Sequence, residues 1–219
     1  TKSVTLTGVS QLPSAALANV AFAPTASGQS SAATAILKNT GIGAIRVGNA
    51  AVSGAGFSLG TNTCSATLDT GKSCTYALSF TGSGIQSSTG ALTIDTGAGI
   101  KTATLTAQSQ QAVLNVTPQT ENFGQVQVGQ TATSGTHTLS NSGNIAATNL
   151  KFTADGGYSV LNNTCGTSLD AGASCSFSLG FAPTVAQSYV GGLSISSDTT
   201  YNAVGLTAVG LNGVGQMQS

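Results

Sequence analysis

The chain has 219 residues, and its 40% hydrophobic content can fill sizeable cores, but only 5% of its residues are charged, against about 25% in an ordinary soluble domain. Six basic and six acidic residues balance to a formal net charge of zero, which leaves too few Lys and Arg for a phosphate-binding or anionic-membrane patch. No apolar run reaches the roughly 18 residues of a membrane-spanning helix, so we expect neither nucleic acid nor membrane insertion.

The first ten residues repeat a pattern that occurs twice later in the chain. Val4-Thr-Leu6-Thr-Gly8 is similar to Ala103-Thr-Leu105-Thr-Ala107 and to Val204-Gly-Leu206-Thr-Ala208. Each later segment closes a stretch of about a hundred residues, so residues 1–10 are interpreted as an orphan terminal strand. It is either the end of a preceding domain or a strand shared between subunits, and Val4, Leu6 and Gly8 are its candidate assembly residues.

Residues 11–110 predict a first β-sandwich. Large and small side chains alternate from Cys74 to Phe80 and, less regularly, from Ala91 to Ile94, and a period of two is typical of a half-buried strand. Gly, Asn, Asp and Ser interrupt the chain every ten residues or so, and no amphipathic helix is evident. The sequence therefore predicts an all-β protein built of Ig-like antiparallel sandwiches.

Residues 111–210 predict a second copy of the same unit, joined to the first near the polar run Gln108–Gln111. The middle of each unit aligns at an offset of 101, so that Leu68-Asp69 corresponds to Leu169-Asp170. Upstream, residues 37–41 (LKNTG) match residues 139–143 (LSNSG) at an offset of 102. Under this alignment Leu206 marks the final strand, and residues 211–219 are a tail.

Each unit has one pair of cysteines, Cys64 with Cys74 and Cys165 with Cys175. The Leu-Asp-x-Gly-x-Ser segment between them contains turn-forming residues, so it is interpreted as a hairpin that brings the thiols within disulfide distance. Closing so short a loop contributes about 2–3 kcal/mol in the chain-entropy model. Zinc needs four ligands and each unit offers two, whereas free thiols remain the alternative. Disulfides predict an oxidising location such as the cell exterior, cell surface or a virion.

Motifs for catalysis or metal binding are weak. Gly56-Phe-Ser58-Leu-Gly60 matches the G-x-S-x-G pattern of serine hydrolases, but no helix pattern follows it. His137 is the only histidine and is interpreted as a solvent-facing strand residue. We therefore expect no enzyme activity, no metal and no cofactor.

A few further residues bear on modification and recognition. Asn115 and Asn162 each begin an Asn-x-Thr sequon, which matters if the host glycosylates asparagine. Aromatic residues that recur in both units predict core packing, and Tyr189 and Tyr201 are the aromatics expected on the surface.

The second unit resembles a known class of domains. The residues that carry the resemblance are the cysteine hairpin with its Phe-Ala-Pro ending at Pro183, Asn141-Ser-Gly143, Phe123-Gly124 and Val204-x-Leu206. This pattern is similar to abnormal-spindle/Hydin-type immunoglobulin-like repeats, particularly the choice-of-anchor D proteins of bacterial surfaces. The resemblance implies Ig-like modules in arrays, with structural or binding roles. In that family the last strand ends as Val-x-Leu-x-Gly-x-Gly, a pattern that residues 4–10 fit better than residues 103–109 do.

Three explanations of residues 1–10 remain open. The chain belongs to a longer array, or the segment adds a strand to a neighbouring subunit, or it folds back on the first unit. The sequence predicts an extracellular structural module of a fibre, stalk or virion appendage, with other copies of itself or neighbouring domains as partners. The alternative is an adhesin module that binds a glycan or a surface protein through loops at the end of the sandwich.

Overall fold

The computed structural model describes residues 12–198 and 207–217. Every regular element within these residues is a β-strand, so the predicted all-β fold is confirmed. The chain divides into two compact units, Thr1–Ser109 and Gln110–Ser219. In the described part no helix is long and apolar enough to cross a membrane. The predicted assembly residues Val4, Leu6 and Gly8 lie outside the described residues.

Unit 1 is a sandwich of two sheets. Its strands are β1 (Ala15–Leu17), β2 (Val20–Ala21), β3 (Thr25–Ala26), β4 (Ser30–Asn39), β5 (Ile45–Ser53), β6 (Phe57–Asn62), β7 (Thr67–Leu68), β8 (Ser73–Thr81), β9 (Gln86–Thr96) and β10 (Lys101–Gln110). One sheet has the order β1-β4-β8-β6, and the other has the order β2-β10-β9-β5-β7, with β3 also pairing with β10. β2 runs parallel to β10.

Unit 2 repeats this arrangement. Its strands are β11 (Leu114–Thr117), β12 (Thr120–Gln127), β13 (Ala132–Thr133), β14 (His137–Asn141), β15 (Ala147–Thr148), β16 (Lys151–Ala154), β17 (Tyr158–Leu161), β18 (Ser168–Leu169), β19 (Ser174–Phe181), β20 (Ser188–Ser196) and β21 (Thr207–Gln216). One sheet joins β11, β14, β19, β13 and β17, and the facing sheet has the order β12-β21-β20-β16, with β12 parallel to β21. β15 pairs with β18.

The alternation in the sequence decides which side chains form the cores. Along β8, Cys74, Tyr76, Leu78 and Phe80 are buried and the residues between them are more exposed. Aromatic rings fill corresponding places in both units, which confirms that the recurring aromatics are core residues: Phe22, Phe57 and Phe80 in unit 1, and Phe123, Tyr158 and Phe181 in unit 2. Each unit therefore has its own hydrophobic core.

The final strand of unit 2 lies further along the chain than the sequence alignment predicts. Leu105 pairs with Gly90, whereas Leu211 pairs with Gly191, the residue equivalent to Gly90. Leu211, not Leu206, is therefore the counterpart of Leu105, and both are buried. β21 continues to Gln216, so residues 211–216 belong to the sheet rather than to a tail.

This register places the Val-x-Leu-x-Gly-x-Gly pattern at residues 209–215. Its first glycine faces a core ring, because a Cβ on Gly213 would lie 2.6 Å from the Phe181 ring. A Cβ on Gly215 would in turn collide with the backbone at Val185. The glycines of the pattern are thus required by close packing.

Each sandwich has an opening end and a closing end. At the opening end the first strand begins beside the end of the next long strand, as in the pairs Ala15 with Asn39 and Leu114 with Asn141. The last strand starts at this end and finishes at the other, because it is antiparallel to the strand before it. The chain therefore joins a unit at its opening end and leaves it at its closing end.

Candidate functional site

The cysteines form one disulfide in each unit. Cys64 is bonded to Cys74 and Cys165 to Cys175, with Cα–Cα distances of 4.9 and 5.1 Å, and no described cysteine is free. The connection between them is not the simple hairpin that was predicted. In unit 1 it includes β7, which pairs with β5 of the facing sheet and buries Leu68. The disulfide therefore fixes a point where the chain crosses between the two sheets.

Because of these disulfides, we expect a reductant to lower the free energy of unfolding. Replacing Cys165 and Cys175 together with Ala should lower the free energy of unfolding by about 2–3 kcal/mol, because the unfolded chain regains the entropy of the open loop. Denaturant unfolding with and without reductant measures this, and the Cys64/Cys74 double variant is the matched control. Four alkylatable thiols in the unreduced native protein would contradict the disulfide assignment.

A tight turn precedes β8 in unit 1 and β19 in unit 2, and each turn contains a glycine with positive φ. Lys72 donates its backbone N–H to the carbonyl of Asp69 at 3.0 Å, and Gly71 between them has φ +75°. Gly172 has the same φ in unit 2, where Ala173 donates to Asp170. A positive φ at this position is typical of a type II turn. Asp69 and Asp170 are thus turn residues, which agrees with their matching positions in the sequence.

A buried asparagine ties this turn to the rest of the opening end. Asn39 is fully buried, and its side-chain amide donates to the carbonyls of Gly43 and Leu68, both at 2.8 Å. Its side-chain oxygen accepts the N–H of Gly41 at 2.9 Å, and its backbone carbonyl accepts the N–H of Gly71. One amide therefore satisfies polar groups on several loops that would otherwise be buried without partners.

Unit 2 repeats the arrangement with one further bond. Asn141 donates to the carbonyls of Ile145 and Leu169 at 2.8 and 3.0 Å. Its side-chain oxygen accepts from Gly143 and from Val113, both at 3.0 Å. The bond from Val113 holds the start of the first strand of the unit. The Asn-x-Gly turn also needs its glycine, since a Cβ on Gly143 would collide with the backbone of Gln111 and Ala112.

Ser58 does not lie in a nucleophile elbow. It is an exposed residue of β6, and its hydroxyl is 2.6 Å from the hydroxyl of Ser79 on the neighbouring strand. In a nucleophile elbow the serine is at a sharp strand-to-helix turn with a base in reach. The G-x-S-x-G match is therefore a strand with flanking glycines.

The prediction that His137 faces solvent is wrong. The residue is completely buried at the start of β14, and its ring stacks on Phe177 with 5.4 Å between centroids. Nδ1 lies 3.1 Å from the carbonyl oxygen of Pro118, and Nε2 lies 3.2 Å from a carboxylate oxygen of Glu121. Because a carbonyl only accepts, Nδ1 carries a proton. His137 thereby fastens the segment that leads into β12 to the opposite sheet.

The remaining carboxylates are engaged in local structure. Asp95 pairs with Arg46, and Asp155 accepts the backbone N–H of Gly192 at 2.7 Å. Asp198 accepts from the amide of Asn149 at 3.2 Å. Within residues 12–198 and 207–217, no three His, Cys, Asp or Glu residues come together as a metal-binding group.

Tyr189, which was predicted from the sequence to lie on the surface, is half-buried and is part of the framework. Its ring packs edge-on against Phe181 at 5.2 Å, and its hydroxyl accepts N–H groups of Thr184 and Val185 at 3.0 and 3.1 Å. This is the tyrosine corner of Ig-like domains, in which a Tyr near the start of a late strand bonds the preceding loop. Hydrogen bonds from the Thr184 side chain and the Val185 backbone lower the pKa of Tyr189.

The pKa values of two other tyrosines shift in the opposite direction, and the two sequon asparagines lie on the surface. Burial raises the pKa of Tyr76 and of Tyr158. Asn115 and Asn162, the first residues of the two sequons, are both exposed. Tyr201 lies outside the described residues.

Comparisons with known proteins agree with this architecture. Residues 112–210 match the family described as "HYDIN/CFA65/VesB-like, Ig-like domain". A search of curated proteins gave no significant match.

Similar solved structures have low sequence identity. They include a Porphyromonas gingivalis W83 protein of unknown function (14% identity, 91% of this chain and 99% of that chain, TM-score 0.38). They also include the secreted serine protease VesC from Vibrio cholerae (16%, 82% and 49%, TM-score 0.36). A third is Yersinia pseudotuberculosis InvD (14%, 92% and 58%, TM-score 0.38). The chain spans about half the length of the VesC and InvD structures.

The matched range begins at Ala112, beside the first strand of unit 2, and ends at Gly210 within its last strand. It contains the disulfide Cys165–Cys175, the buried Asn141 and the tyrosine corner. Residues 112–210 therefore form an Ig-like domain of the HYDIN/CFA65/VesB-like family.

Proposed function

We propose that the chain is a non-enzymatic structural module of an extracellular fibre, stalk or virion appendage. The observation that carries this proposal is the arrangement of each unit. The chain joins each sandwich at its opening end and leaves at its closing end, which is the geometry needed to connect such units in series. The disulfides are typical of proteins outside the reducing cytosol.

The framework of each unit supports a mechanical role. The disulfide, the buried asparagine and the aromatic cluster occur in both units. Together they fix the loops of the opening end and the crossing between the sheets. Loops fixed in this way hold the shape of each unit constant, which is what a module of an array requires.

The neutral composition supports self-association. With a formal net charge of zero, copies of the chain lack the long-range repulsion that keeps highly charged proteins apart. The partners in this proposal are other copies of the chain or neighbouring domains of the same array. Residues 4–10 share the Val, the Leu and the first Gly of residues 209–215 but have Ser10 in place of Gly215, and Val4, Leu6 and Gly8 are proposed to add a strand to a neighbour.

Assembly of the purified chain tests this function. Size-exclusion chromatography with light scattering should show oligomers that grow with protein concentration, and negative-stain images should show linear particles. Removal of residues 1–10 should weaken assembly if the added strand contributes to the joint. A monodisperse monomer at the highest attainable concentration would contradict the self-assembling function.

The second candidate function is that of an adhesin, and a cleft in unit 1 supports it. It lies between β5 and β6, and its lining includes Asn49, Asn62 and Tyr76. The amide side chains of Asn49 and Asn62 are exposed and can bond the hydroxyl groups of a sugar, whereas the ring of Tyr76 is buried. Binding of the monomeric chain to immobilised glycans, without self-assembly, would favour this adhesin function over the structural one.

A further inference from the structure

The cleft between β5 and β6 of unit 1 lies where both strands depart from regular pairing. On β5, Gly48 and Asn49 together stand opposite the single residue Asp95 of β9, so the strand contains a β-bulge. On β6 the pairing with β8 also shifts, between Leu59 and Asn62. Both irregular stretches belong to the walls of the cleft, whose volume is about 260 Å³.

Unit 2 fills the equivalent space with a phenylalanine. Ala50 pairs with Ile94, and Phe152 has the same place in unit 2 because it pairs with Ile195. The Phe152 ring packs edge-on against Phe177 with 5.4 Å between centroids. β16 also pairs with β20 over its whole length without a shift. The cleft therefore results from residues that are specific to unit 1, and not from the fold that the two units share.

Tyr76 brings to this cleft a hydroxyl group that unit 2 lacks, since its counterpart there is Phe177. Tyr76 lines the cleft although it is only 2% exposed. Its hydroxyl forms no hydrogen bond with the residues that the structure describes. Burial raises the pKa of Tyr76, so the hydroxyl stays protonated and can both donate and accept. A buried hydroxyl without a partner costs free energy, and a ligand in the cleft would supply that partner.

The other polar side chains that line the cleft are neutral. Asn49 and Asn62 present exposed amides. The Asn62 side-chain oxygen accepts the backbone N–H of Cys64 at 3.0 Å, so its NH₂ group remains a donor. Ser65 adds an exposed hydroxyl. The cleft thus combines a buried hydroxyl at its base with amides and a second hydroxyl around it, and none of its lining residues is charged.

These groups indicate a compact, neutral ligand with several hydroxyl groups. Arg46 and Asp95 lie over the wall at Gly48, 2.5 and 2.8 Å from where a Cβ would be, and they pair with each other. The rim therefore has no net charge. Val47 and Leu59 add apolar surface for the carbon-bound hydrogens of a sugar ring. Sites for drug-sized ligands have roughly 300–1,000 Å³, so this smaller cleft suits a single ring.

We propose that the cleft of unit 1 binds one neutral hexose residue of a glycan, with the Tyr76 hydroxyl as its innermost hydrogen-bonding group. This inference rests on the adhesin function given above as the second candidate, and it names the site and the ligand class of that function. The structural function does not depend on it. An extended peptide suits the cleft less well, because bulges in edge strands disfavour the addition of another strand.

Titration of the ¹⁵N-labelled full chain with methyl glycosides tests the proposal. The probes are the methyl α- and β-glycosides of glucose, galactose and mannose. We expect at least one of them to shift the backbone amide signals of Gly48, Asn49 and Asn62 in a saturable manner, and to leave those of β16 and β17 unchanged. If none of the glycosides shifts the cleft amides at millimolar concentration, the proposal is wrong.

Two substitutions give the cleft the residues of unit 2. Tyr76→Phe should raise the Kd of the bound glycoside about three- to ten-fold, since one hydrogen bond is lost. It should leave the melting temperature unchanged or higher, because it removes a hydroxyl without a protein partner. Ala50→Phe should abolish binding by filling the cleft. Ser58→Ala, an exposed position of β6 outside the cleft, is the matched control and should bind as the unchanged chain does.

The Tyr76 variant also decides what the hydroxyl does. An unchanged Kd in Tyr76→Phe would show that the hydroxyl does not touch the ligand, and a lower melting temperature would show that it has a partner within the protein. Either result overturns the inference. Circular dichroism checks that each variant is folded, and Tyr76→Phe keeps the test decisive even if Ala50→Phe does not fold.

Further outcomes separate this site from the functions proposed above. If a glycoside shifts amides elsewhere and both cleft variants bind it normally, the adhesin function stands and this site is wrong. If the cleft amides respond only to a synthetic peptide of residues 1–10, the cleft accepts a strand and the sugar ligand is wrong. Self-assembly is measured in a separate experiment, so the absence of sugar binding leaves the structural function unaffected.

Discussion

Asn141→Ala should lower the free energy of unfolding by about 3–4 kcal/mol, and Asn39→Ala by about 2–3 kcal/mol, since each lost bond leaves a buried backbone group without a partner. Asn141 makes four side-chain hydrogen bonds and Asn39 makes three. The larger effect at Asn141 follows from its extra bond to the start of the first strand.

Denaturant unfolding followed by circular dichroism measures these effects in the full chain. Asn141→Asp is the informative variant, because it keeps the shape of the side chain but places an oxygen where two carbonyls now accept N–H donors. We expect it to be at least as destabilising as Ala. The exposed Asn49 supplies the control, and Asn49→Asp should change stability by less than about 0.5 kcal/mol. Wild-type stability in Asn141→Asp would refute the assigned hydrogen bonds.

His137→Ala should lower the free energy of unfolding by about 3 kcal/mol, because it leaves a cavity beside Phe177 and removes the partners of Pro118 and Glu121. His137→Phe should cost less, since it preserves the stacked ring and loses only the two hydrogen bonds. The difference between the two variants measures the share of the effect that packing supplies.

The control for His137 is its neighbour Thr138, which is exposed on the other face of β14. Thr138→Ala should be nearly neutral in the same denaturation experiment. Equal stabilities for the wild-type protein and His137→Ala would mean that the ring faces solvent, as its position in an alternating strand predicted.

The burial of His137 could be predicted in part from the sequence. His137 is two residues from Leu139 and four from Asn141, so a strand places all three on one face. Its counterpart in unit 1 is Ala35, which occupies the same place opposite an aromatic residue. The replacement of a small residue by His gave no local signal of burial, and the partners on the other sheet are distant in sequence.

The sequence alone determined the two-unit β-sandwich, the paired cysteines and the turn positions of Asp69 and Asp170, because alternation and turn chemistry are local properties. Only the tertiary structure decided that Leu211 corresponds to Leu105, that Tyr189 closes a corner and that β7 crosses to the other sheet. Strand register depends on partners far away in the chain, and loops of unequal length conceal it from a linear alignment.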